Sequence, residues 1–219
     1  MRIAAVSDIH CPRYLSEFEK ALEQCTNPDV LLLAGDMIEA GRFAEYRKIV
    51  EVITSRFGDD LPVVACQGND EYGADVTTLQ EISSDRIIFL NSSSSILTLD
   101  DQTLGIVGIP PVTHEEIGTE QDIEGIFAKR ISDLKMQIIG LKHKCDKMIL
   151  LMHYSPISPE SFPISFSWWL SQAFDNNQPD IVIHGHIHYA TNPEASIGHT
   201  RILNVAFPAT RKMTEITLH

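Results

Sequence analysis

The sequence lacks any long hydrophobic run, although apolar residues make up 43% of its 219 residues. Its apolar stretches are a few residues long, whereas a membrane-spanning helix needs about 20. The first of them, Ile3–Val6, is closely followed by Asp8 and is too short for the core of a signal peptide. We therefore expect a globular protein of the cytoplasm with no membrane partner.

Cysteine and basic residues are also scarce. The four cysteines are scattered along the chain without a Cys-x-x-Cys pair, so we expect neither a disulfide framework nor a thiolate zinc site. Lysine and arginine number 17 against 30 acidic residues, which gives a formal net charge of −13. A field of that sign repels nucleic acid, and no run rich in lysine or arginine offers a local patch for it.

Apolar runs and helix-like stretches alternate in the first third of the chain. Buried strands are predicted at Ile3–Val6, Val30–Leu33 and Val63–Cys66, separated by helical segments at Leu15–Cys25 and Phe43–Phe57. This β-α-β-α-β succession predicts a parallel sheet with right-handed crossovers.

The middle of the chain has a different pattern. Ile87–Leu90, Ile96–Leu99 and Leu104–Ile109 follow one another closely and predict antiparallel additions to the sheet. A short helix is predicted at Val76–Ile82 and a long one at Glu120–His143. Later strands are predicted at Met148–Met152, Ile181–Ile183, Ile202–Val205 and Met213–Leu218. Since no repeat or linker occurs, we expect one α/β domain over residues 1–219, a four-layer αββα sandwich of two mixed β-sheets flanked by helices.

Five of the predicted strands end in side chains of the kind that bind metal ions. In chain order these are Asp8-Ile9-His10, Gly35-Asp36, Gly68-Asn69-Asp70, His153 and Gly185-His186-Ile187-His188. Each motif alone is common, and a single aspartate after a strand is more often a turn or helix cap. In open α/β sheets, however, functional groups gather beyond the carboxyl ends of the strands. Five such ends in order therefore favour a metal site.

The types of the candidate ligands indicate which metal ions the site could bind. Asp8 and His10 are two residues apart, so in extended backbone they point to the same side and can share one cation, and His186 and His188 repeat that spacing. Mixed carboxylate and imidazole ligands suit manganese, iron, zinc, nickel or cobalt better than calcium or magnesium alone. A carboxylate can also bridge two ions about 3.5–4 Å apart, as in two-metal sites for phosphoryl transfer.

The ordered set D-x-H, G-D, G-N, H and G-H-x-H, which spans Asp8 to His188, resembles the calcineurin-like metallophosphoesterases. Asn204-Val205-Ala206 is similar to the closing turn of their fold. The resemblance implies that four residues hold a first metal ion: Asp8, His10, Asp36 and His188. It implies that four residues hold a second metal ion: Asp36, Asn69, His153 and His186. Asp36 would then bridge two divalent ions, with manganese favoured.

The resemblance also implies an activity, the hydrolysis of a small-molecule phosphodiester or activated phosphomonoester. By general two-metal logic, a water between the ions loses its proton near neutral pH, and the resulting hydroxide attacks phosphorus. A nuclease, a non-catalytic metal-binding scaffold and a nucleotide sensor are the alternatives on the same fold. A homo-oligomer is compatible with all of them.

One position departs from the family pattern. Many members have histidine where this chain has Asp70, which is followed by Glu71. Asp70 is therefore the candidate catalytic residue, although a carboxylate near two cations has a depressed pKa and is a poor proton donor. An extra metal ligand, a substrate-selective group and a structural turn residue are the alternatives for Asp70.

Several other residues lie near the motifs. Arg13 and Tyr14 could contact the phosphate, and the reactivity of Cys11 is open. His184 is expected in the core or behind the ligands rather than as an eighth ligand. The aromatic stretch Phe162–Leu170 is interpreted as packing first, a substrate wall second and a dimer surface third.

Overall fold

The computed structural model describes residues 1–71, 74–111, 120–156, 178–189 and 192–219. The aromatic stretch Phe162–Leu170 lies outside these residues. Within them, eleven strands form two β-sheets. None of the helices that the structure describes combines the length and the apolar character needed to cross a membrane.

The first sheet has the strand order β11-β1-β2-β3-β4. Its strands are β1 (Arg2–Val6), β2 (Val30–Ala34), β3 (Val63–Cys66), β4 (Ile88–Leu90) and β11 (Thr214–Thr217). Strands β1 to β4 are parallel, and β11 pairs antiparallel with β1 at the edge.

The second sheet has the strand order β5-β6-β7-β8-β10-β9. Its strands are β5 (Ser93–Leu99), β6 (Gln102–Ile109), β7 (Lys147–Met152), β8 (Ile181–His184), β9 (Glu194–Ile197) and β10 (Thr200–Asn204). The four central strands are parallel, and β5 and β9 run antiparallel at the two edges. Both sheets are therefore mixed.

Helices cover the outer faces of the sheets. They are α1 (Leu15–Gln24), α2 (Tyr46–Phe57), α3 (Val76–Ile82), α4 (Glu120–Leu141) and the short α5 (Phe207–Thr210), with 3-10 turns at Phe43–Glu45 and Asn69–Glu71. Helices α1, α2 and α3 pack on the first sheet, and α4 packs against β5 and β6 of the second.

Three hydrophobic cores separate the layers. In β2, Leu31 and Leu33 face the helices α1 to α3, whereas Leu32 faces the second sheet, as the two-residue period of a strand requires. Between the sheets, Leu32 packs in one cluster with residues of β6 and β7 such as Ile106 and Ile149. The third core lies under α4. The predicted four-layer sandwich of two mixed sheets is confirmed.

The structure corrects the interpretation of Ile87–Leu90 as an antiparallel strand. Strand β4 pairs parallel with β3, because helix α3 lies between them and makes the connection a crossover. The other two strands of that group do form the expected antiparallel hairpin, in the second sheet. The short edge strand β9 was not predicted, because its alternating polar sequence, Glu194–Ile197, contains no continuous apolar run.

The close approach of the sheets predicts opposite effects for the same substitution at two glycines. A Cβ on Gly108 in β6 would collide with Leu90 of β4, so Gly108→Ala should lower the free energy of unfolding by about 1–3 kcal/mol. Gly140 on α4 faces open space, so Gly140→Ala should raise it by about 0.5–1 kcal/mol. Urea denaturation measures both, and equal effects would contradict this packing.

Candidate metal centre

The seven residues predicted to bind metal lie in loops that directly follow parallel strands. They are Asp8 and His10 after β1, Asp36 after β2, Asn69 after β3, His153 after β7, and His186 and His188 after β8. Backbone hydrogen bonds join these loops, since Asp8 N donates to Gly35 O (3.0 Å) and Gly185 N donates to His153 O (3.0 Å). The backbone N–H of Ser7 also donates to Val205 O (3.2 Å), after β10, so the carboxyl ends of strands from both sheets meet at one edge.

Their ligand atoms form two groups of three, in each of which the atoms lie within 4.8 Å of one another. The first group is Asp8, His10 and His188, and the second is Asp36, His153 and His186. A further group (His10, Asp36 and Asp70) overlaps both. Asp36 therefore lies within reach of both groups.

In each group a carboxylate oxygen lies close to a histidine Nε2 atom. Asp8 Oδ1 is 2.8 Å from His188 Nε2 and 3.8 Å from His10 Nε2. His153 Nε2 is 3.2 Å from Asp36 Oδ2 and 3.1 Å from Asn69 Oδ1. Asn69 thus adds an amide oxygen to the second group.

The backbone of these loops differs from the extended conformation expected from the spacing. Asp8, His10, Asp36 and His186 have φ values of 58°, 43°, 51° and 68°, in the left-handed region that residues other than glycine rarely adopt. Asp8 and His10 nevertheless lie in one group, whereas His186 and His188 lie in different groups, a division that the family resemblance implies and the spacing does not. Such conformations cost about 1–3 kcal/mol each and persist where the surroundings fix them, typically at functional sites.

The donor set fits divalent metal ions. His10 Nε2 is buried and has no hydrogen-bond partner among the described residues, although it faces Asp8. Leaving a buried polar atom unpaired is costly, and a cation between that nitrogen and the Asp8 carboxylate would satisfy both. Imidazole and carboxylate together suit first-row transition metals.

Hydrogen bonds from behind hold the ligands in place. His153 Nδ1 donates to Ala34 O (2.8 Å), which leaves Nε2 free to face Asp36. Ser7 Oγ donates to Asp8 Oδ2 (2.5 Å), and the backbone N–H of His186 donates to the same oxygen (3.0 Å). Such partners orient metal ligands, and the bond from Nδ1 to a carbonyl also raises the basicity of His153 Nε2.

Glu71 joins the loops after β2 and β3. Its side chain is fully buried and accepts hydrogen bonds from the backbone N–H groups of Asp36 (2.8 Å), Met37 (2.7 Å) and Gly68 (2.6 Å), and from the Tyr46 hydroxyl (2.9 Å). Burial and the nearby Asp36 carboxylate raise the pKa of Glu71 to about 7, against the opposing effect of these hydrogen bonds. Glu71 therefore fixes the position of Asp36 from beneath.

The protonation states of three ligands follow from their surroundings. Burial acts to raise the pKa of Asp8, but hydrogen bonds from His188 and Ser7 and the charge of His153 hold it at about 2. Burial acts to lower the pKa of His153, but the adjacent Asp36 carboxylate raises it to about 10. Burial and then the charge of His153 lower the pKa of His186 to about 4. Asp8 and His186 are thus already in their metal-binding forms at neutral pH, whereas His153 must release a proton.

Two glycines let the loops approach the carboxylates. A Cβ on Gly68 would collide with the side chain of Asp36, and a Cβ on Gly185 would collide with Ser7 and Asp8. Only a residue without a Cβ allows the backbone at these two positions to pass so close to the carboxylates.

The other residues near the motifs make contacts outside the two ligand groups or are buried. Arg13 is paired with Glu39 (2.8 Å), and Tyr14 lies under the Arg211 guanidinium. His184 is buried, as expected of a core histidine. Burial, together with the charge of Glu45, raises the pKa of the Cys11 thiol to about 12, so this thiol is a poor nucleophile.

The supporting roles of Ser7 and Glu71 were not predicted from the sequence. Each lies next to a motif residue, and that adjacency is the one signal that could have singled them out. Asn204, in the predicted closing turn, donates from Nδ2 to Ile187 O (2.7 Å) and accepts at Oδ1 from Ala206 N (3.1 Å). It thereby fastens the loop that carries His188.

A two-sheet α/β sandwich with histidine and aspartate clusters at one strand edge defines the metallophosphoesterase-like class of folds. The profile of the calcineurin-like phosphoesterases matches residues 1–190, and the chain belongs to that family. A search of curated protein sequences gave no significant match.

Solved structures share the fold at low sequence identity. The protein TT1561 of Thermus thermophilus superposes with a TM-score of 0.65 at 14% identity, over 98% of this chain and 97% of that one. A 5′-nucleotidase precursor from the same organism gives 0.60 at 12% identity, over 100% of this chain and 51% of its own. GAP50, the anchor in the inner membrane complex of Plasmodium, gives 0.64 at 12% identity, over 95% and 72%. The chain spans about half the length of the nucleotidases it matches.

The contacts of Glu71 predict a large effect of an isosteric change. Glu71→Gln replaces one acceptor oxygen with an NH₂ group that faces N–H donors, so the free energy of unfolding should fall by at least about 1–3 kcal/mol. Glu39→Gln, which alters only surface ion pairs with Arg13 and Arg42, should change it by less than about 1 kcal/mol. Similar values for the two variants in chemical denaturation would contradict the role of Glu71.

Proposed function

We propose that this chain is a phosphoesterase that uses two divalent metal ions to hydrolyse a phosphodiester or an activated phosphomonoester. The observation that carries the proposal is the pair of adjacent ligand groups, with Asp36 within reach of both. A single ion would need only one group, whereas phosphoryl transfer at a metal pair needs two ions joined by a common ligand.

In this proposal each ion has four protein ligands. The first ion is held by Asp8, His10, Asp36 and His188, and the second by Asp36, Asn69, His153 and His186. When bound, the ions supply an activated water for attack on phosphorus and neutralise charge on the phosphate oxygens. The chain provides two ionised carboxylates and keeps them aligned through Ser7, Glu71 and the backbone donors. The mixed nitrogen and oxygen ligands suit manganese, iron, zinc, nickel or cobalt, of which we propose manganese as the resident metal.

Three observations support a small phosphate ester as the substrate. The chain belongs to the calcineurin-like phosphoesterases, and several structures with its fold are nucleotidases by name. The net charge of −13 disfavours a long nucleic acid. We further propose that residues 1–219 form one domain, since β11 near the C-terminus pairs with β1 near the N-terminus.

The proposal predicts metal-dependent hydrolysis. Metal-stripped protein should not turn over bis-(p-nitrophenyl) phosphate or p-nitrophenyl phosphate, and added manganese, nickel, cobalt or zinc should restore activity. Asp36→Asn should reduce restored activity at least about 100-fold, because it weakens the shared ligand. Asp29→Asn, which alters only surface contacts with Arg2, should retain it.

Turnover of neither ester with any metal, although two ions bind, would refute the hydrolase and favour a scaffold or sensor. Preferential cleavage of double-stranded DNA would instead favour the nuclease.

The aspartate at position 70 predicts strong dependence on the leaving group. Because histidine is absent there, proton donation to the departing oxygen should be weak, and rates should fall steeply as the pKa of the leaving group rises. A series of methyl aryl phosphates measures this slope, with an alkyl diester at its slow end. Equal rates on aryl and alkyl esters would contradict the prediction.

A further inference from the structure

The carboxylate of Asp70 lies against the far side of the His10 ring. Asp70 Oδ2 is 3.0 Å from His10 Nδ1, and Asp70 Oδ1 accepts from Asn69 Nδ2 at 3.1 Å. The backbone N–H of Asp70 donates to Asp36 Oδ1 at 2.8 Å, which fixes the residue relative to the second ligand group. Both carboxylate oxygens are therefore engaged by protein groups.

This contact decides which nitrogen of His10 can bind a cation. A neutral imidazole carries one N–H donor and one acceptor nitrogen, and the bond made by one nitrogen sets the role of the other. With Nδ1 donating to Asp70, Nε2 becomes the acceptor. Nε2 is the atom that is buried without a hydrogen-bond partner among the described residues and that faces Asp8.

We propose that Asp70 is a positioning residue that holds the His10 ring with Nε2 directed toward a cation at Asp8 and His188, rather than a proton donor to the leaving group. The inference rests on the proposed function for the presence of that cation. It assigns a distinct role to the position at which many family members have histidine.

Two rival roles for Asp70 fit its contacts less well. A proton donor would need a carboxyl oxygen turned toward the leaving group, whereas Asp70 Oδ2 faces His10 and Oδ1 faces Asn69. A direct metal ligand would have to share the cation at His10 Nε2, whereas Asp70 Oδ2 faces the other ring nitrogen, Nδ1, at 3.0 Å.

Titration of the metal-stripped protein with cobalt, followed by visible absorption and calorimetry, tests the proposal without reference to turnover. Asp70→Leu should weaken one of the two cobalt sites about 10–100-fold and leave the other unchanged. Asp70→Asn should keep both affinities close to those of the unaltered chain, because its amide oxygen still accepts from His10 Nδ1. Asp75→Ala is the control, since Asp75 caps α3 through the backbone N–H of Thr78.

The zinc-loaded protein gives a second measurement. The Nδ1 proton of His10 should be visible by NMR as a slowly exchanging signal in the unaltered chain and in Asp70→Asn, and it should be lost in Asp70→Leu. If Asp70→Leu fails to fold, retention of this signal and of both affinities in Asp70→Asn supports the proposal, and their loss overturns it.

Unchanged cobalt affinity in Asp70→Leu would overturn the proposal. Equal weakening of cobalt binding by Asp70→Asn and Asp70→Leu would also overturn it, because it would show that the negative charge of Asp70 is needed rather than its hydrogen bond to His10. Failure of the proposed function is distinguishable. A chain that binds two ions without hydrolysing esters, yet loses one site in Asp70→Leu, would refute the hydrolase and support the role of Asp70.

Discussion

Two carboxylates, Asp8 and Asp36, are almost completely buried at one edge of the sandwich, and compensation of their charge is the constraint on which the surrounding structure depends. Burial of an ionised carboxylate without partners is prohibitively costly. Asp8 is compensated by His188, Ser7 and the backbone of the β8 loop, and Asp36 is compensated by His153 and the backbone N–H of Asp70. The left-handed backbone of both residues persists because these contacts fix it.

The other two carboxylates of the site have different tasks because their surroundings differ. Glu71 is fully buried and accepts three backbone N–H groups and a hydroxyl, so it organises two loops and cannot meet a substrate. Asp70, whose side chain is 24% exposed, contacts one face of the site through His10. Although they are consecutive in the sequence, Glu71 lies beneath the ligands and Asp70 lies beside them, so their side chains have separate roles.

Ten of the eleven strands, and the polar side chains that follow five of them, could be predicted from the sequence, because buried strands and metal-type side chains leave local signals. The grouping of those side chains was not readable from spacing. The expectation that residues two apart share a cation holds for Asp8 and His10 but fails for His186 and His188, although the backbone is left-handed in both pairs. The parallel pairing of β4 follows from the predicted helix before it, whereas the support from Glu71 depends on contacts between distant segments, which no local pattern encodes.

We propose that Asp36 joins two metal ions in one centre. Electron paramagnetic resonance of the manganese-loaded protein tests it most directly, because ions that share a bridging carboxylate are magnetically coupled and ions in separate sites are not. We expect two manganese ions per chain with the multiline spectrum of a coupled pair, and loss of that coupling in Asp36→Asn. A single ion per chain, or two ions with the spectrum of isolated manganese, would contradict it.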